Sequence, residues 1–192
     1  MRLFIALQLP AAVRRSLAET AARLRSQLPP ARWVPISNLH LTLRFLGEID
    51  TDRVVGLGRV LAGCFVSRAS FRLRLRDGGC FPPRRPARVA WVAFEPAPAL
   101  TELQAEVAAA VDDHLGIAAE RRAFHPHLTL ARPRRPWPRA AVDSWQEAFA
   151  GPQGPAFDIA EGSLMRSLLS PDGARHESLG VYPLAGAGGG AV

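Results

Sequence analysis

This chain is short of several things. Its 192 residues include two cysteines, one tyrosine and no lysine, and its 17 acidic residues are outnumbered by 24 basic ones, all arginine. Each shortage excludes something. Cys64 and Cys80 fit neither a Cys-x-x-Cys pattern nor a disulfide framework, so both read as buried or idle thiols. No run of about 18 apolar residues occurs, which excludes a transmembrane helix, and no membrane partner is expected. The apolar run within residues 1–10 is too short for a signal peptide and reads as a first strand, so the expected compartment is the cytoplasm. The arginine surplus gives a formal net charge of +7. That favours an anionic partner such as RNA or a phosphate-bearing small molecule. A GC-rich genome produces the same composition, so charge alone leaves both readings open. The apolar fraction, 48%, is ample for the core of one domain or of two small lobes sharing a core.

What the chain does have is a tetrapeptide used twice. His40-Leu41-Thr42-Leu43 and His127-Leu128-Thr129-Leu130 are identical, and each sits in an alternating apolar run that favours a strand. Side chains at i and i+2 of a strand share a face. His40 and Thr42 therefore point one way, as do His127 and Thr129, while the leucines point into a core. By the same alternation Phe45 falls on the core side.

The patterns along the chain predict a β-α-β-α-β order for residues 2–76 and again for 88–168, with one closing strand near 175–183. Helical faces carry Val13, Leu17, Ala21, Leu24 and Leu28, then Val54, Leu57, Val60, Leu61 and Phe65, then Leu100, Leu103, Val107, Val111 and Leu115 before Gly116, and finally Ala141, Val142, Trp145 and Phe149. Residues 77–86, rich in Gly, Pro and Arg, read as a loop. Ser170-Pro171-Asp172-Gly173 reads as a turn. Residues 185–192 read as a disordered Gly/Ala tail following a single domain over 1–184. The expected fold is α+β: two pseudo-symmetric lobes with mainly antiparallel sheets around a central cleft, each copy carrying its motif on its middle strand. Such a self-contained fold points to a monomer.

Two imidazoles facing each other across a substrate suit acid–base hydrolysis near neutral pH, one as base and one as acid. The two threonine hydroxyls can donate to charged oxygens, and a phosphate offers a fitting pair. Arg132, just past the second motif, adds charge. No metal or cofactor is required for this chemistry. His125 and His127 have a spacing also seen in metal sites, but no nearby Asp or Glu completes a ligand set, and His125 is expected at the cleft rim. His114 reads as structural, at a helix C-terminus. His176 receives no role. Arg84, Arg85 and Arg88 are candidates for RNA phosphate contacts.

These motifs resemble those of the 2H phosphoesterase superfamily, and most closely its bacterial RNA 2′,3′-cyclic phosphodiesterases, also known as 2′-5′ RNA ligase-like proteins. The resemblance extends through residues 2–7, Arg32-Trp33-Val34, Asn38 to Glu48, Phe81-Pro82, Arg88-Val89 with Trp91, Phe124 to Arg132 and Ser167 to Glu177. It implies hydrolysis of a 2′,3′-cyclic phosphate, on RNA ends or small cyclic nucleotides, to a 2′-phosphate. It also implies His40 as proton donor, His127 as proton acceptor, and Thr42, Thr129 and Arg132 as phosphate-binding residues. A weak, reversible 2′-5′ joining of RNA ends is the same chemistry run backwards. From the sequence alone the two histidines are interchangeable. Two other readings stay open at this point: a metal-dependent hydrolase, and an RNA- or nucleotide-binding module without turnover.

Overall fold

The computed structural model describes residues 1–83, 87–170 and 173–186. In these residues the chain forms β1 (Arg2–Gln8), α1 (Ala11–Gln27), β2 (Ala31–Trp33), β3 (His40–Glu48), α2 (Val54–Val66), β4 (Phe71–Phe81), β5 (Val89–Phe94), α3 (Pro98–Leu115), β6 (His127–Pro133), α4 (Arg139–Ala148), β7 (Pro152–Ile159), β8 (Glu161–Ser170) and β9 (Gly173–Pro183). The helices bury the faces their spacing predicts. Leu17 and Leu24 are buried on α1, Leu57, Leu61 and Phe65 on α2, and Leu103, Val107 and Val111 on α3. Gly116 ends α3 in the left-handed conformation, with φ of 61°, where a side chain would be strained.

The strands build two antiparallel sheets, ordered β3-β1-β8-β9 and β2-β6-β5-β4-β7. The α+β class and the paired sheets match expectation, but the sheets are not the two halves of the sequence. β4, from the first half, pairs with β5 and β7; β8, from the second half, pairs with β1. β4 and β5 are consecutive and pair as a hairpin, the commonest arrangement of neighbouring strands, and this takes β4 away from β1. The stretch 156–168, expected as one strand, lies in two. Ala160 separates β7 from β8, and the chain changes sheets there. Each motif strand, expected in the middle of its half, lies at or beside a sheet edge, β3 outermost in one and β6 covered only by β2 in the other.

Two further expectations change. Residues 77–81 belong to β4 rather than to a loop, because their glycines make room for tryptophans. Gly79 lies opposite Trp91 in the β4–β5 register, and a Cβ at Gly79 would run into the indole. Gly78 is crowded in the same way by Trp145 and Phe149. Ala185, expected in a disordered tail, donates its N–H to the Arg68 carbonyl at 2.7 Å and bridges to Ala69. Arg84, Arg85, the centre of the Ser170–Gly173 turn and residues 187–192 lie outside the described residues; β8 and β9 pair as far as Ser170 and Gly173.

Candidate active site

A cleft of about 800 Å³ opens between the two sheets. His40 and Thr42 reach it from β3, and His127, Thr129 and Arg132 from β6. All five residues expected to form one site therefore line one cavity.

The two motifs are built alike at the atomic level. His40 Nδ1 lies 2.7 Å from the carbonyl oxygen of Asn38, and His127 Nδ1 lies 2.7 Å from that of His125. A carbonyl only accepts, so each Nδ1 carries the proton and donates it. In both rings Nε2 is left free to take up or give a proton. Asn38 is held in turn by its own side chain, whose Nδ2 donates to the Ala174 carbonyl at 2.6 Å. The loop before β3 is thereby tied to β9, and the His40 ring with it. Asn38 carries no repeat and no charge, and stands out only as the first residue of the family-like stretch Asn38 to Glu48.

Both imidazoles are embedded among aromatic rings. Phe4 stands 4.8 Å from His40, and Phe81 stands 5.1 Å from His127, between ring centroids. Burial disfavours the charged form of a histidine. It lowers His40 to about 4, with the neighbouring His176 and His127 pushing the same way against the opposing Asn38 hydrogen bond. Burial also lowers His127, helped by His125 and by the Arg132 charge, against the opposing His125 carbonyl bond. His127 acts electrostatically on His40, and both rings line the same cleft.

Phe45 departs from its expected place. It is 63% exposed and lines the cleft rather than the core. The cause is a β-bulge. Ile5 pairs with Arg44 but Ala6 pairs with Thr42, so Leu43 is an extra residue and the alternation inverts after it. The same bulge occurs in β6, where Ala90 pairs with Ala131 and Trp91 with Thr129, leaving Leu130 extra. Each motif thus returns its sixth residue, Phe45 or Arg132, to the cleft. The inversion also buries Arg44, 7% exposed, behind β3, where its Nε donates to Asp112 at 2.9 Å and its Nη2 to the Ala118 carbonyl at 2.9 Å.

His176 joins the cleft from β9, its ring 5.2 Å from that of His40 and 4.9 Å from Phe4. Burial lowers its pKa, and its Nδ1 is buried without a hydrogen-bond partner among the described residues. His125 does not line the cleft. It lines a separate pocket with Phe94, Pro96 and Thr101, its ring 6.3 Å from that of the cleft-lining His127. Among the described residues no three His, Cys, Asp or Glu side chains gather as a metal site would need. Arg88 is exposed and does not line the cleft.

Residues 7–91 and 93–175 match the model of the LigT-like phosphoesterase family. An RNA 2′,3′-cyclic phosphodiesterase of Thermus thermophilus is 36% identical over 196 residues, covering 97% of this chain and 91% of the relative. One of the same name from Geobacillus stearothermophilus is 30% identical over 96% of this chain, which spans 57% of that longer relative. A crystal structure from Thermus thermophilus superimposes with a TM-score of 0.82 at 32% identity, covering 97% of this chain and 99% of that one. Escherichia coli LigT complexed with 3′-AMP gives a TM-score of 0.74 at 30% identity, covering 95% and 97%.

Proposed function

The chain belongs to the LigT-like phosphoesterase family, and from that premise we propose that it hydrolyses nucleotide or RNA 2′,3′-cyclic phosphates to 2′-phosphomonoesters. The observation that supports this most is the equivalence of the two His-x-Thr units, each with its Nδ1 tied to the carbonyl two residues earlier and both facing one cleft.

The steps follow from that geometry. The cyclic phosphate sits between the rings, its non-bridging oxygens accepting from the Thr42 and Thr129 hydroxyls. Arg132 offsets their negative charge. His127 Nε2 takes a proton from water as the water oxygen bonds to phosphorus. The bond from phosphorus to the 3′-oxygen breaks, and His40 Nε2 delivers its proton to that oxygen. The product is a 2′-phosphate and a free 3′-hydroxyl. When a 5′-hydroxyl replaces water the same steps leave a 2′-5′ diester, which accounts for a weak joining activity and its reversal. Every group named belongs to the chain itself, so the reading needs no metal or cofactor. Phe4, Phe45 and the imidazole of His176 give one wall an aromatic surface suited to a nucleoside.

The donor role asks the more buried ring to hold a proton. In the free protein the surroundings oppose this. A bound phosphate anion opposes them in turn, since negative charge near an imidazolium favours the charged form. Incubation with a nucleoside 2′,3′-cyclic phosphate, followed by identification of the product isomer, tests the proposal. It predicts the 2′-phosphate from the wild type, and a loss of about 10²–10⁴-fold in His40→Ala and in His127→Ala. Full activity in either variant, or a 3′-phosphate product, would contradict it.

A further inference from the structure

The cleft carries more positive charge than one cyclic phosphate needs. Six arginines line it, Arg2, Arg25, Arg32, Arg132, Arg134 and Arg175, and no Asp or Glu among the described residues does. Elsewhere Arg44, Arg68, Arg72, Arg74, Arg76 and Arg139 each have a carboxylate partner. Within the cleft, among the described residues, only Arg175 has one, Glu177 at 2.7 Å.

Four of the six come from one side. Arg25 lies in the last turn of α1, Arg32 on β2, Arg132 on β6 and Arg134 just beyond it. Arg32 and Arg132 are direct partners in the β2–β6 register. Like charges placed opposite each other in a sheet are destabilising. The Arg134 N–H donates to the Pro30 carbonyl at 3.1 Å, which fixes a third arginine beside the same short strand. Arg32 also reaches across the cleft mouth to lie against Gly173 at the start of β9. An anion from outside supplies the counter-charge this wall lacks, and guanidinium groups suit the paired oxygens of a phosphate.

Arg132 is engaged with the reacting phosphate. We infer that Arg25, Arg32 and Arg134 form a second anion subsite, which takes the phosphate on the 5′-oxygen of the cyclic-ended nucleoside. The preferred substrate class is then a cyclic-ended nucleotide with a 5′-phosphate, supplied by the internucleotide diester of an oligonucleotide or by a terminal monoester. This rests on the function proposed above and specifies its substrate.

The test compares kcat/KM for uridine 2′,3′-cyclic phosphate, its 5′-phosphorylated form, and the dinucleotide UpU with a 2′,3′-cyclic end. A 5′-phosphate is expected to raise kcat/KM of the wild type by at least about tenfold, the worth of one charged hydrogen bond. The doubly substituted Arg32→Gln, Arg134→Gln protein is expected to bring that ratio to within about twofold of unity, with a salt slope shallower by roughly 0.7 for each arginine–phosphate pairing removed. A gain confined to the dinucleotide and abolished in the variant assigns the subsite to the internucleotide diester. A gain that survives in the variant overturns the inference. So does a wild type that gains from neither the 5′-monoester nor the internucleotide diester, and so does an equal loss on all three substrates.

Calorimetric binding of uridine 2′-phosphate, with and without a 5′-phosphate, scores the subsite without turnover. A wild type that hydrolyses none of the three substrates refutes the proposed function, while the binding ratio still decides the subsite. Arg134→Gln alone, at an exposed position, repeats the comparison if the double variant melts early.

Discussion

The most exacting consequence of the site is its pH dependence. Catalysis by a histidine pair requires one ring protonated and the other bare. Burial lowers His40 to about 4 and lowers His127 from 6.5. The sign is the same for both, so each ring loses its proton at a lower pH than a free imidazole. The singly protonated pair is most populated between the two macroscopic values, which belong to the pair rather than to either ring. Above the upper value that population falls about tenfold per pH unit. Because the upper value lies below 6.5, kcat/KM at about pH 8 should be at least about 30-fold below its maximum. In the singly protonated pair the proton favours the less buried His127. Moving it to His40 costs about 1.4 kcal/mol for each unit separating the rings. That cost does not vary with pH, so it lowers the profile without changing its shape. Bound phosphate raises both values, and the descending limb of kcat should lie at higher pH than that of kcat/KM. Initial rates on a nucleoside 2′,3′-cyclic phosphate, at low and at saturating substrate, from about pH 5 to about pH 9, give both profiles. A kcat/KM that is level from about pH 6.5 to about pH 8 would refute the reasoning.

Four other outcomes are expected. Asp112→Ala removes the closer of the two carboxylates on the buried Arg44 guanidinium, leaving Glu120 at 3.4 Å, and should reduce unfolding free energy by about 1.5–3 kcal/mol, read from urea denaturation. Phe45→Ala should cost under about 1 kcal/mol of stability, because the ring is exposed, yet raise KM for nucleotides; Leu41→Ala, in the core, should cost about 2–5 kcal/mol. Activity should survive exhaustive EDTA treatment, and a loss restored by zinc would favour the metal-hydrolase reading instead.

The parts of the site that rest on local alternation are legible in the sequence. His40 with Thr42, and His127 with Thr129, share a face because a strand has period two, and the duplicated tetrapeptide implies that the two pairs belong together. Phe45 is not legible. Its direction depends on a bulge at Leu43, a property of the β1–β3 register that no single strand encodes. Arg132 reaches the cleft although an unbroken alternation from His127 would turn it away; the bulge at Leu130 is what returns it. The exchange of β4 and β8 between sheets is equally non-local, since it depends on which strands pair across long separations. His176 and Asn38 are hidden for another reason. Each is a lone polar residue without a repeat, and only the approach of β9 to β3 gives it a neighbour in the site.

In the proposed mechanism His40 and His127 serve opposite sides of one phosphate, as acid and as base. A nucleoside 2′,3′-cyclic phosphate with sulfur in place of the bridging 3′-oxygen tests it most directly, because a thiolate leaves without needing a proton. With this substrate His40→Ala should recover most of its loss of about 10²–10⁴-fold relative to the wild type, while His127→Ala should recover none. Recovery by His127→Ala, or by neither variant, would contradict the account.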